Sequence, residues 1–237
     1  MEKNNLSTII DFGSTNLRLG VFDEKLSNLF FKTKEVNQND NFENYVKSIN
    51  LIIREAEKKI STHLENITVL YDTSEICSVD ICIKKKLDHM ANFNENILSM
   101  ILEANNLINN HYQNKKIIHL IIKKYIINDK EFFNIPDEIP KLDSLILEIK
   151  LILVPYSRYK NVIEIFNKNN LKVLNFFSSS LVKSFQYIEL FQETKFVAFL
   201  DIGLDRSTLI FFNNKKIDFL NNIPIGGNHI SKDISQI

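Results

Sequence analysis

The chain has 237 residues, 44 % of them hydrophobic and 24 % charged, which gives enough apolar surface for one sizeable core or two modest ones and excludes a disordered chain. Lysine plus arginine balance aspartate plus glutamate at 29 each, so no bulk field draws the protein to nucleic acid or anionic lipid. Two cysteines, Cys77 and Cys82, fit neither a disulfide framework nor a zinc pair, even with His89 added, and read as small buried thiols in a reducing cytoplasm.

In chain order, "MEKNNLSTIIDFG" runs straight into a strand without the successive basic, apolar and cleavable regions of an export signal. "LRLGVFD" and "LSNLFFKT" continue it as an antiparallel meander turning near Asp23 to Lys25. The period then changes. Tyr45, Ile49, Ile52, Ile53, Ala56 and Ile60 form the stripe of an amphipathic helix, and the strand "ITVLY" follows. From about Val79 a second unit begins with the strand "VDICIKK". A helix with Phe93, Ile97, Met100, Ile101, Ala104, Leu107 and Ile108 on one stripe comes next, then the strands "KIIHLIIKKYIIN" and "SLILEIKLILV". Between those strands, "NDKEFFNIPDEIPKLD" carries Pro136 and Pro140 and is expected to be mostly loop, because proline cannot donate to a ladder.

The first pattern then resumes. A helix bearing Tyr159, Val162, Ile163 and Phe166 closes at Asn169 and Asn170, and the strand "LKVLNF" leads to a helix capped at Ser178 with Leu181, Val182, Phe185 and Ile188 inward. Three strands follow, "KFVAFLDI", "STLIFF" and "KIDFLNNIPI", the last two joined at Asn213 and Asn214, residues that tolerate the positive φ of a tight hairpin. After "GGNHISKDI" the chain stops in the first turns of another helix. The basic runs "IKKKLDH" and "KKY" alternate with apolar residues and read as solvated strand faces. The longest apolar stretches, "IIHLII" and "LILEIKLILV", are too short to span a bilayer.

Two turns carry the candidate chemistry. "IIDFGSTNLRLGVFD" and "FLDIGLDRSTLIFF" each place an aspartate at the end of an apolar strand with glycine two places on. Singly, such a turn is commonplace; the pair, a domain's length apart, is the signal. Face to face, the two turns would offer backbone N–H groups and the hydroxyls of Ser14, Thr15, Ser207 and Thr208 to phosphate oxygens, with Asp11 and Asp201 holding the waters of a magnesium ion. Gly13 and Gly203 would allow close backbone approach and unusual dihedrals. The reading requires the two carboxylates to converge across one cleft.

With "IPIGGNHISKDI" after the second hairpin, the chain resembles the actin-like ATPase superfamily, and within it the first half of the bacterial cell-division family FtsA. "LVPYSRYKNVIEIFNKNNLKVLNFFSSSLVKSF" is similar to that family's helix, strand and helix before the second phosphate turn. The resemblance implies an α/β, ribonuclease H-like domain with an inserted strand-helix-strand-strand (SHS2-type) α+β subdomain and a truncated second domain. The corresponding boundaries are 1–78 and 155–195 for the first actin-like subdomain, 79–154 for the insert and 196–237 for the start of the second. It also implies ATP and Mg2+ as cofactors, with Asp11, Gly13, Ser14 and Thr15 in the first phosphate turn, Asp201, Gly203, Ser207 and Thr208 in the second, and Gly226, Gly227 and Asn228 in the turn after the hairpin.

The implied role is polymerisation through the insert and tethering of the tubulin-like ring protein FtsZ, with other division proteins, to the cytoplasmic face of the inner membrane at the division site. The ring-binding subdomain and the amphipathic membrane helix of that family fall outside this sequence, so the chain is expected to be a fragment whose last sheet exposes apolar surface. Leu204, Asp205 and Arg206 stand where the family has Gly-Gly-Thr. Left-handed dihedrals there would cost about 1 to 2 kcal/mol for each non-glycine residue, and Asp205 would repel phosphate unless Arg206 turns inward to offset it. Three alternatives stand beside this reading: an actin-like scaffold of the type IV pilus platform, a small-molecule kinase, for which no acid or base stands out near Ser178 to Ser180, and a structural remnant without ligand.

Overall fold

The computed structural model describes residues 6–36, 42–86, 92–138, 143–191 and 193–235; His89 and Pro140 lie outside them. Three sheets organise these residues. The first contains β1 (Ser7–Phe12), β2 (Asn16–Phe22), β3 (Asn28–Glu35), β4 (Asn66–Tyr71) and β9 (Lys172–Phe177) in the order β3-β2-β1-β4-β9. The meander is antiparallel, whereas β4 and β9 run parallel to β1. Parallel neighbours need crossovers, and α1 (Phe42–Ile60) and α3 (Tyr156–Asn167) supply them. The α1 stripe is buried as its spacing predicts, with Ile49, Ile52 and Ala56 fully inaccessible.

The second sheet, β5-β8-β6-β7, is antiparallel and comprises β5 (Cys77–Lys86), β6 (Lys115–Ile127), β7 (Lys130–Phe132) and β8 (Ser144–Pro155). Helix α2 (Phe93–His111), capped by the Asn92 side chain, covers one face with Phe93, Met100 and Ala104. Leu107 falls outside the buried stripe. Strand β8 is buried on both sides: Leu147, Ile149 and Leu151 face α2, while Ile152 and Val154 enter the core of the first sheet. Between them Lys150, 1 % exposed, pairs at 2.8 Å with Asp80, its cross-strand neighbour on β5.

The third sheet, β10 (Phe196–Ile202), β11 (Ser207–Asn213) and β12 (Lys216–Ile223), is an antiparallel meander followed by α5 (Gly227–Ile234). Ile210, Phe212, Ile217 and Leu220 join the first core, and Leu200, Ile202, Phe211 and Phe219 are exposed on the opposite face. Between the first and third sheets lies α4 (Ser179–Ile188), with Ser178 as N-cap.

Among its described residues the segment after β6 is mostly loop, as expected, apart from β7, which pairs back on β6 through a turn at Asn128 and Asp129, both at positive φ. Other expectations are corrected. The β11–β12 turn puts its positive φ at Asn214 and Lys215, one residue later than read, because Asn213 still pairs with Lys216. Cys82 is exposed and Cys77 half-buried. On α4, Val182 and Phe185 are exposed, and the buried face is Ser180, Leu181, Ser184 and Ile188. The lysines of "KKY" are not solvated: Lys123 bridges Asp80 and Asp218, and Lys124 pairs with Glu131.

Candidate functional site

Each aspartate turn is a two-residue reversal closed in the same way. Gly13 N–H donates to Asn16 C=O at 2.9 Å, and Gly203 N–H to Arg206 C=O at 2.8 Å. A Cβ on either glycine would stand 2.8 or 2.9 Å from that same carbonyl, so close approach is what glycine provides. Among the described residues no glycine has positive φ, nor do Leu204, Asp205 or Arg206. The left-handed penalty expected for the second turn is therefore absent. The registers match as well: Asp11 lies opposite Arg18, and Asp201 opposite Thr208.

Asp11 and Asp201 line one cavity of about 250 Å³, together with Gly13, Ser14, Thr15, Gly203 and Thr208. Ser207, Gly226 and Gly227 are not among its lining residues. The Ser207 hydroxyl donates to Ile225 C=O at 2.7 Å. Gly226 and Gly227 act from behind. Gly227 N–H donates to Gly203 C=O at 2.9 Å, Asn228 N–H to Leu204 C=O at 2.8 Å, and a Cβ on Gly226 would meet both carbonyls at 2.5 Å. On the first turn Tyr45 does comparable work, its hydroxyl donating to Gly13 C=O at 3.2 Å. Burial raises the Tyr45 pKa and keeps it a neutral donor.

The floor of the cavity was not legible in the motifs. It is the N-terminus of α4, where three consecutive serines meet three carboxylates. Ser179 donates to Asp11 Oδ1 at 2.7 Å, and Ser178 donates to Asp72 Oδ1 at 2.7 Å. Ser180 Oγ lies 2.7 Å from Asp72 Oδ2, 2.9 Å from Asp201 Oδ2 and 3.3 Å from Thr208 Oγ1. One hydroxyl carries one proton and cannot serve both carboxylates; the Lys183 ammonium, 3.3 Å from Asp201 Oδ2, compensates the second. Asp72 also accepts from Ser180 N–H at 2.8 Å. An acid thus does stand beside Ser178 to Ser180, where none was expected, though its oxygens are already occupied by three serine donors: two hydroxyls and a backbone N–H. Ser178 N–H donates to His119 Nε2 at 2.9 Å. Burial lowers the His119 pKa to about 4, so the imidazole is a neutral acceptor.

Three acids, Asp11, Asp72 and Asp201, and three bases, Arg18, Lys183 and Arg206, line this cavity. Arg206 lines this cavity and also a neighbouring pocket of about 790 Å³, which it shares with Asp205, Tyr45, Tyr71 and Arg158. The donor set suits phosphate oxygens: a glycine turn with two hydroxyl residues, the Arg18 guanidinium and the Lys183 ammonium, with Arg206 also in the lining. It suits a magnesium ion poorly. Arg18 is 3.0 Å from Asp11 and Lys183 3.3 Å from Asp201, so each carboxylate the metal would use already carries a cation. Like unit charges 4 Å apart repel by about 4 kcal/mol at an effective dielectric of 20, and a dication doubles that.

No family model matches the chain, and no curated protein matches it. Solved structures do. A chain of a PilM-PilN type IV pilus biogenesis complex superposes with a TM-score of 0.70 at 11 % identity, over 97 % of this chain and 65 % of that one. A Bacteroides thetaiotaomicron protein with an actin-like ATPase fold and unknown function gives 0.51 at 10 % identity, over 99 % and 76 %. The ethanolamine utilization protein EutJ from Carboxydothermus hydrogenoformans gives 0.51 at 9 % identity, over 98 % and 56 %. The chain has the actin-like ATPase fold and spans about two thirds of the first of these relatives. Among the described residues no helix is long and apolar enough to cross a membrane.

Proposed function

We propose that this chain is a nucleotide-holding actin-fold scaffold, which keeps the phosphates of ATP between its two aspartate turns and works by docking partner proteins. The observation that carries the reading is the shared cavity: Asp11 and Asp201, from strands nearly the whole chain apart, face one space floored by α4 and lined by Arg18, Lys183 and Arg206. The division of the chain at 78/79, 154/155 and 195/196 belongs to the same proposal, with the strand-helix-strand-strand insert as the self-association surface. Calorimetric titration with ATP tests it. Saturable binding that Arg206→Ala weakens about tenfold, a loss of about 1.4 kcal/mol, supports the reading; absence of binding favours a ligand-free remnant.

For the partner, the motif resemblance supports a division protein that links the FtsZ ring to the membrane. A second reading, a pilus-platform scaffold, is favoured by the likeness to the chain of the PilM-PilN complex. Pull-down separates the two. Retention of purified ring protein supports division, and retention of a pilus inner-membrane peptide supports the pilus.

A further inference from the structure

We propose that the cleft takes a phosphate chain as the free anion, with Arg18 and Lys183 doing the work a divalent cation would otherwise do. The proposal rests on the phosphate-cleft reading above and departs from the magnesium that the resemblance implies. Beside each of the two carboxylates the structure has a cation from the chain itself, brought there by two independent routes. Arg18 is the cross-strand partner of Asp11 on the same hairpin, so strand register alone sets Arg18 Nη1 3.0 Å from Asp11 Oδ2 while Ser179 takes Oδ1. In the second hairpin the corresponding position is Thr208, which has no charge to give. There the cation comes from α4, where Lys183 lies three residues after Ser180 and shares its helix face. Both side chains reach Asp201 Oδ2, at 2.9 Å from Ser180 and 3.3 Å from Lys183.

A metal held beside Asp11 and Asp201 would supply positive charge to the phosphates. A guanidinium that spends one N–H on Asp11 keeps others for phosphate oxygens, and an ammonium with one proton on Asp201 keeps two. The side chains of Arg18 and Lys183 are 41 % and 45 % exposed, so their remaining donors are open to an incoming anion. Arg206, from the second turn, adds a third cation to the same cavity. Three carboxylates and three basic residues leave the lining itself without net negative charge.

The test is calorimetry of the chain with ATP and, in parallel, with inorganic tripolyphosphate, each in chelator and in millimolar magnesium. The expected result is binding in chelator that millimolar magnesium does not strengthen, since the metal sequesters the free polyphosphate the cleft takes. The two ligands distinguish a nucleotide from a bare phosphate chain, and the absence of any gain from magnesium is expected of whichever binds. The double variant Arg18→Gln/Lys183→Met should bind more than about tenfold more weakly in chelator and regain affinity on adding magnesium, since it frees both carboxylates. Binding that requires magnesium in the unaltered chain overturns this inference and leaves the phosphate-cleft reading standing. If neither ligand binds under either condition, both fall.

Discussion

Replacing Ser180 with alanine removes one oxygen from the point where both halves of the cleft meet. That hydroxyl, on a residue 4 % exposed, touches Asp72, Asp201 and Thr208. After the change Asp72 keeps the Ser178 hydroxyl and the Ser180 N–H, whereas Asp201 keeps only the half-exposed Lys183. A hydrogen bond to a charged acceptor is worth about 1.5 to 3 kcal/mol, and the exposed ion pair that remains is worth about 1 or less. The two carboxylate oxygens, 2.7 and 2.9 Å from the same Oγ, lie within about 6 Å of each other and lose the group between them. The expected destabilisation is about 2 kcal/mol, a fall in Tm of about 4 to 8 °C for a chain of this size. Thermal unfolding followed in the near and far ultraviolet measures it. Ser184→Ala is the matched control, because that buried hydroxyl donates to Leu181 C=O within its own helix, and its loss is expected to cost about 1 kcal/mol or less. If Ser180→Ala loses no more than Ser184→Ala, Ser180 does not bridge the two halves and the account of the cavity floor is wrong.

Three further outcomes follow from particular contacts. Lys150→Met should be neutral or stabilising, since it keeps the buried stem and leaves the exposed Asp80 with Lys123, while Asp80→Ala strands a buried ammonium next to Lys123 and should cost about 3 to 5 kcal/mol in urea unfolding. Gly226→Ala drives a Cβ into backbone atoms of the second turn at 2.5 and 2.6 Å and should cost about 1 to 3 kcal/mol, whereas Gly227→Ala, whose nearest such atom is 3.8 Å away, should be tolerated. His119 has a folded pKa of about 4 against an ordinary 6.5, so the unfolded chain binds more protons between those values. Its contribution is full above about pH 6.5 and is lost as pH falls to about 4, about 3 kcal/mol in all; His119→Gln should flatten that part of the stability–pH profile measured by urea unfolding.

What the sequence revealed was what a local period or a local turn can encode. The α1 stripe is legible because burial repeats every three or four residues from Ile49 to Ala56, and the two hairpins because each carries its own aspartate and glycine. Three-residue β7 has no period to read. Helix α4 was misread for a physical reason: its most buried face includes Ser180 and Ser184, polar residues whose hydroxyls have partners inside, while Val182 and Phe185 remain exposed. Asp72 was missed because nothing next to it in sequence marks it. Only the parallel pairing of Phe12 with Tyr71 shows that the residue after β4 lies beside the first turn. Arg18 and Lys183 required, respectively, a strand register and a helix face, plus the knowledge that both end at the same cleft.

The second sheet is more than an appendage to this cleft. Its β6 supplies His119, which accepts from the N-cap residue of α4, so the serines that hold Asp11, Asp72 and Asp201 are positioned partly from that sheet. On the other side a chain of contacts runs outward from Ser180 to Thr208 at 3.3 Å, from Thr208 to Asn222 at 2.7 Å, and from Asn222 to Ile76 C=O at 3.3 Å, immediately before β5. Ser78 to Leu220 C=O at 3.0 Å and Lys123 to Asp218 at 2.9 Å fasten the same two sheets further along. Burial would lower the Lys123 pKa, but the hydrogen bond to Asp218 and the charge of Asp80 outweigh it and hold the ammonium charged. A ligand that altered the spacing of the hairpins would shift Thr208 against Ser180, and that displacement has to be taken up at Asn222 and the root of β5. The short polar path through Ser180, Thr208 and Asn222 is what joins the cleft to the root of β5.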